Sequence, residues 1–292
     1  MFKLSQNVKA WIAASLISLF LYNAYWTVKS YENFLGYIFQ VQPSYNYVST
    51  LGFVFWGGHI GLTARFAAIV IGLTVTFLLW AKRWSFLKVK KLVATALVLE
   101  GVNFLGLLPS TWWMLRLDSF VYSPALGVGY LIQILFTTPL LWFLATKILR
   151  YNTTSIDTRL WKWVGITFMS YIIALFSNEF SRWISMISLD NLVFLIEGIR
   201  VIGFFNASVI MPIAVVLAFV AAFYTAKHNM LMLPWVGASL AVTGLHYALY
   251  VVYSYFTNSM NYALLVDVWT LPLLGLGLTL LFNYGGKTFF GR

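Results

Sequence analysis

The sequence predicts an all-α integral membrane protein with eight transmembrane helices and both termini in the cytoplasm. Composition, the length of the apolar runs and the placement of basic residues lead to this prediction. Hydrophobic residues make up 61% of the 292 residues and charged residues only 9%. Soluble domains contain about 45 to 50% apolar and about 25% charged residues. The composition therefore excludes an ordinary soluble protein.

Eight apolar runs approach or exceed the roughly 20 residues that a helix needs to cross a bilayer. Each run ends near Trp, Tyr, Lys or Arg, which are residues typical of the membrane interface. Runs this long fit helices better than the alternating strands of about ten residues that form membrane barrels. The predicted spans cover residues 10–28, 51–81, 92–114, 125–147, 161–180, 194–225, 234–256 and 264–284.

Basic residues cluster at every second connection, which is typical of the cytoplasmic side of a membrane protein. Fourteen Lys and Arg residues lie at the chain ends and at the second, fourth and sixth connections, whereas only Lys29, Arg116 and Arg182 lie at the others. We therefore expect a cell-membrane protein with both termini inside. Contact with anionic lipid headgroups accounts for the net charge of +11, so nothing indicates a nucleic-acid partner.

The chain is predicted to form one polytopic membrane domain, 1–292, because every connection is short. A weak similarity between the halves 1–150 and 151–292 aligns Pro139 with Pro272. Four helices in each half would make the halves parallel repeats, related by an axis along the membrane normal. A binding site between such halves would be typical of transport proteins.

Polar residues inside the membrane are costly and often functional. Counted from the inner end of each helix, five of them lie about 12 to 21 Å into the membrane. Glu100 has no basic residue at its own counted depth, so we expect it to be protonated or bonded to Asn103 or His246. This makes Glu100 the leading candidate for proton handling. The five central candidates are Glu100, Asn103, His246, Asn23 and Gln133.

A second group of polar residues is counted nearer the outer surface. Arg65 lies about 22 Å from Trp80 along its helix and needs a partner from another helix, for which Glu179 is at a matching depth. Glu197 and Arg200 are three residues apart, so they face each other on one helix. The predicted outer polar cluster comprises His59, Arg65, Glu179, Glu197, Arg200 and Asp267.

The sequence favours neither haem nor a metal centre. His59 and His246 differ by about 15 Å in counted depth, which argues against one iron between them. His228 follows a basic residue in a predicted inner loop, and the chain has no cysteine, which excludes thiolate ligands. No HExxH, Gly-x-Ser-x-Gly, GxGxxG or P-loop motif occurs, so the chain is not expected to be an enzyme on its own.

Two classes of function remain. The first is a membrane subunit of a respiratory or other redox complex, which binds a quinone, relays protons and has partner subunits. Amide, His and carboxyl groups beside abundant aromatic residues favour it. The layout of four plus four helices resembles the polysulfide-reductase-type quinone-site subunits in helix number only. The alternative is a small-solute or lipid transporter. Transporters often contain broken helices at their binding sites, and the absence of an obviously broken helix in the sequence counts against this alternative. A structural scaffold in the membrane is the third reading.

Overall fold

The computed structural model describes residues 6–40, 48–81, 85–108, 111, 124–152, 158–186, 205–229, 231–256, 268 and 270–286. Every regular element in these ranges is a helix, so the all-α prediction is confirmed for this part of the chain. The α-helices are α1 (Gln6–Gln40), α2 (Val48–Trp80), α3 (Phe86–Leu105), α4 (Pro124–Ile132), α5 (Thr138–Leu149), α6 (Thr158–Met186), α7 (Met211–Ala226), α8 (Met232–Phe256) and α9 (Leu271–Tyr284).

Five helical segments are long and apolar enough to cross a membrane, which indicates a multi-pass protein in a lipid bilayer. Two shorter apolar helices coincide with α7 and α9. Helix α3 is not among the five, since Lys88, Lys90, Lys91 and Glu100 lower its hydropathy. The five segments are Gln6–Tyr31, Gly57–Trp80, Val128–Leu149, Thr158–Ser177 and Met232–Val252.

The chain divides into two compact units. The first unit is Asn23–Ile156, and the second unit combines Met1–Tyr22 with Asp157–Arg292. The long helix α1 contributes its first part to the second unit and the remainder to the first. This division differs from the predicted halves, which had placed the whole of the first helix in the N-terminal half.

In the first unit, α2 packs on α3, and α3 packs on α5. Glycine allows the first of these contacts, because a Cβ atom on Gly106 would lie only 2.6 Å from the Gly57 carbonyl oxygen and 2.7 Å from the Gly61 Cα. Small residues at helix crossings permit such close backbone approach in membranes. Gly57 and Gly61 of α2 thus set its register against α3.

In the second unit, α6 packs on α7, α7 on α8, and α8 on α9. The crossing of α8 and α9 is again a backbone contact, since a Cβ atom on Gly277 would lie 2.3 Å from the Ala241 amide nitrogen. Val8 of α1 is fully buried against Leu276 and Leu280 of α9. The N-terminal part of α1 is therefore anchored to the last helix of this unit.

A short π-helix precedes a proline in each unit. The first, π1 (Gln133–Thr137), leads into Pro139, and the second, π2 (Asn206–Ile210), leads into Pro212. Proline lacks an N–H and its ring clashes with the carbonyl four residues earlier, so a regular α-helix cannot continue through it. The sequence analysis missed these interruptions, because a π-helix inserts one residue without changing the apolar composition.

Candidate functional site

The glycine contact between α2 and α3 decides which polar residues meet in the first unit. The two helices are antiparallel, and Gly61 lies against Asn103 and Gly106. Moving one turn along α2 from Gly61 reaches Arg65, while moving one turn back along α3 from Asn103 reaches Glu100. Arg65 and Glu100 are therefore at the same level of the membrane.

Four polar residues from three helices form one connected group there, which we call the polar quartet: Asn23, Arg65, Glu100 and Asn103. Nη2 of Arg65 donates a hydrogen bond to Oδ1 of Asn23 at 2.7 Å. The Arg65 guanidinium also attracts the Glu100 carboxyl electrostatically. Nδ2 of Asn103 lies 3.4 Å from Oε1 of Glu100, and the Asn103 side chain is buried. An arginine and a carboxylic acid thus lie together inside an apolar helix bundle.

The sequence analysis had separated Arg65 from Glu100 by about 10 Å in depth. The error came from the inner end chosen for α3, which was Leu92, whereas the helix begins at Phe86. Counted from Phe86, Glu100 lies about 21 Å along its helix, close to the value of about 22 Å for Arg65 counted from Trp80. Glu100 therefore does have a basic neighbour at its own level, and for Arg65 the structure records Asn23 and Glu100 as neighbours.

A second polar contact joins the same two helices, α1 and α2, closer to their outer ends. The Tyr31 hydroxyl hydrogen-bonds to Nδ1 of His59, and the two ring centroids are 5.2 Å apart. The sequence analysis overlooked Tyr31, because the first predicted span ended at residue 28. The spacing of Asn23, Thr27 and Tyr31, four residues apart on one helical face, is the signal that would have revealed it.

In the second unit, His246 is held by Asn206. Nδ2 of Asn206 donates to the backbone oxygen of His246 at 2.9 Å, and Oδ1 of Asn206 lies 3.1 Å from Nδ1 of His246. A carbonyl oxygen only accepts, so the amide nitrogen must face it, and Nδ1 must carry the proton that Oδ1 accepts. Asn206 thereby holds a proton on Nδ1 of His246. Tyr247 packs edge-on against the His246 ring and against Tyr22.

The remaining predicted residues do not join either group in the described structure. Gln133 is buried and begins π1, where its backbone oxygen accepts from the Thr138 hydroxyl at 3.1 Å. Glu179 belongs to α6, but its side chain lies outside the described residues. Glu197, Arg200 and Asp267 also lie outside them, so the structure does not bear on the outer cluster beyond His59 and Arg65.

The polar quartet offers hydrogen-bond donors of two kinds and one group that exchanges protons. Arg65 is a permanent cation with several N–H donors, and the two asparagines supply amide donors and acceptors. Glu100 accepts a proton when ionised and donates one when neutral. Within the described ranges, His, Asp and Glu form no group of three or more that suits a metal ion. The four side chains together are therefore able to donate and accept hydrogen bonds and to exchange a proton.

Comparisons with protein-family models, with curated proteins and with solved structures found no match to this chain.

Proposed function

We propose that this chain is a cell-membrane subunit of a respiratory or other redox complex, and that it binds a quinone at the polar quartet. In this proposal the chain crosses the membrane eight times with both termini in the cytoplasm. The observation that carries the proposal is the contact of Arg65 with Asn23 beside Glu100, inside helices of membrane-spanning length and hydropathy.

A quinone matches the chemistry of these four residues. Its two carbonyl oxygens accept hydrogen bonds, which Arg65 and the asparagine amides are able to donate, while its apolar tail lies among the helices. Reduction of a quinone to a quinol takes up two electrons and two protons. The electrons come from a redox centre on a partner subunit, and Glu100 delivers protons to a quinone oxygen.

Ligand titration of the full chain in lipid nanodiscs tests the proposal. A short-chain benzoquinone and a naphthoquinone are added, and quenching of the 13 tryptophans is followed. Loss of a charged hydrogen bond costs about 1.5 to 3 kcal/mol, so Arg65→Met and Glu100→Gln should weaken binding about tenfold to hundredfold. Glu100→Gln is close in shape to the native residue, which keeps the test informative if Arg65→Met folds poorly.

Lys88→Met is the matched control, because it removes a positive charge from an exposed side chain of the same unit. It should bind quinone as the wild type does. Quenching by the wild type that does not saturate, or equal affinity in wild type and Glu100→Gln, would contradict the proposal.

Transport of a small solute or lipid is the second candidate, and π1 and π2 favour it. Interrupted helices next to prolines occur where transporters bend and bind their substrates. Under this alternative, Pro139→Ala and Pro212→Ala would reduce solute or lipid movement in proteoliposomes, and quinone binding would be absent. A membrane scaffold predicts that neither quinone binding nor transport is measurable.

A further inference from the structure

The face of α1 that contains Asn23 also contains Thr27 and Tyr31, each one helical turn further along. All three are polar in a helix that is otherwise rich in apolar residues. Thr27 is buried, and its hydroxyl donates to the backbone oxygen of Asn23 at 2.7 Å. This face is therefore directed toward protein, and its polar groups are kept away from lipid.

Helix α2 meets this polar face at two points, through His59 on Tyr31 and through Arg65 on Asn23. Both contacts are made by long side chains that bridge between the helices. One turn before Arg65, α2 packs backbone to backbone on α3 at Gly61. The bridging side chains define what we call the polar file, which consists of Tyr31, His59, Thr27, Asn23 and Arg65.

Two apolar side chains adjacent to the polar file point outward. Ile60, next to His59, is 53% exposed, and Val28, next to Thr27, is 46% exposed. In a membrane protein such side chains face lipid. The polar file thus lies between α1 and α2, with apolar side chains facing lipid beside it at Val28 and Ile60.

The described lysines of α3 mark one end of the first unit. Lys90 lies at that end, where Nζ donates to the backbone oxygens of Leu149 and Tyr151 at 3.0 and 2.7 Å. His59 precedes Trp80, the last residue of α2, by about 31 Å of helix, which is close to the roughly 30 Å thickness of the hydrocarbon core. The Tyr31–His59 contact therefore belongs to the membrane face opposite the lysines.

We propose that the polar file is a hydrated entrance through which water and protons reach Glu100 from the face opposite the lysines. Water inside a protein needs two to four polar partners, which the hydroxyl, imidazole and amide groups of the file supply at intervals. Its role in supplying protons rests on the proposed quinone function. A proton taken from water at His59 and Tyr31 passes along ordered water to the Glu100 carboxylate and then to a quinone oxygen.

The proposed proton transfer needs no oxidant or reductant beyond the redox centre already named. The electrons come from the redox centre of the partner subunit, and each residue of the polar file returns to its starting protonation state. Arg65 keeps its charge throughout, because guanidinium is not deprotonated in proteins. Its hydrogen bond to Asn23 holds it in place beside Glu100.

Cysteine accessibility tests the entrance without any quinone. The chain has no native cysteine, so single substitutions in the full-length protein give an unambiguous signal. His59→Cys is compared with Ile60→Cys, and Asn23→Cys with Leu21→Cys, whose native side chain is 41% exposed. A small negatively charged thiosulfonate is added to one side of sealed vesicles, and Lys88→Cys marks the lysine face.

His59→Cys and Asn23→Cys should react at least about tenfold faster than their neighbours, because the reactive thiolate forms only where water stabilises it. Both should react from the face opposite Lys88→Cys. Reaction of Asn23→Cys from the lysine face, or a rate for His59→Cys no higher than for Ile60→Cys, would overturn the entrance. The comparison of His59→Cys with Ile60→Cys leaves Asn23 unchanged, so this comparison still tests the entrance if Asn23→Cys folds poorly. If quinone binds but the cysteines of the polar file do not react, the entrance is wrong and the proposed function is retained. If these cysteines react but quinone does not bind, the proposed function is wrong and the hydrated entrance is retained.

Discussion

The two units share features of helix packing but differ in the polar residues beside them. Each has a backbone-to-backbone crossing at glycine, and each has a π-helix that begins with a buried amide residue, Gln133 or Asn206, six residues before a proline. In the first unit the polar residues beside these features are ionisable, namely Arg65 and Glu100. In the second unit, the side-chain amide of Asn206 holds the imidazole of His246.

This difference separates a structural contact from a candidate working site. An amide that hydrogen-bonds to an imidazole is a modest contact, with a net contribution to stability of about 1 kcal/mol. An arginine beside a carboxyl group is costly to insert, and evolution retains such groups in membranes chiefly for function. The comparison therefore places the candidate site in the first unit and assigns a positioning role to Asn206 in the second.

The feature that the units share should give the largest effect. Gly106→Val and Gly277→Val each place side-chain atoms where a Cβ alone would approach the facing backbone to 2.6 and 2.3 Å, respectively. Because the backbone cannot yield as a flexible side chain does, we expect each to lower the free energy of unfolding by about 3 kcal/mol. Thermal unfolding of the purified protein in detergent measures this loss.

Gly286→Val is the control for the glycine pair, since a Cβ atom there would meet nothing within 4 Å. It should unfold at the wild-type temperature. If Gly106→Val unfolded like Gly286→Val, the close crossing of α2 and α3 would be wrong, and so would the register that brings Arg65 level with Glu100.

The feature that distinguishes the units should give a smaller but more specific effect. Arg65→Met removes the positive charge beside Glu100 and the hydrogen bond to Asn23, and it should destabilise the protein by about 2 kcal/mol, within the usual range for a charged hydrogen bond. Adding Glu100→Gln to Arg65→Met should restore part of that loss, because the uncompensated carboxyl group is gone. The same unfolding assay on the two single variants and the double variant measures the coupling. Strictly additive losses would mean that Arg65 and Glu100 do not interact.

The contact of Asn206 with His246 in the second unit should give the smallest effect. Asn206→Ala removes the two hydrogen bonds to His246 and should cost about 1 kcal/mol, within the usual range for hydrogen bonds. The proton on Nδ1 of His246 should also cease to be held in place, which nitrogen NMR of labelled histidine detects. A loss of stability larger than that of Arg65→Met would contradict the expected order of the two units. An unchanged histidine spectrum would show that Asn206 does not position His246.

The candidate site was only partly predictable from the sequence. Asn23, Glu100 and Asn103 were expected to share a layer, and Arg65 was expected to need a partner from another helix. The neighbours of Arg65 were predicted wrongly because charged residues at the start of α3 made its apolar run begin later than the helix itself, which begins at Phe86. The contact of Tyr31 with His59 was missed because α1 continues to Gln40, well beyond its most apolar stretch.

The sequence by itself determined the helical membrane class. Composition and run length decide it locally, since a long apolar segment in a bilayer must satisfy its own backbone hydrogen bonds within a helix. Only the tertiary structure decided which polar side chains meet. That depends on the register between helices, which is set by where the Gly61 and Gly106 backbones touch. A shift of one turn there would move Arg65 about 5.4 Å along α3 and away from Glu100.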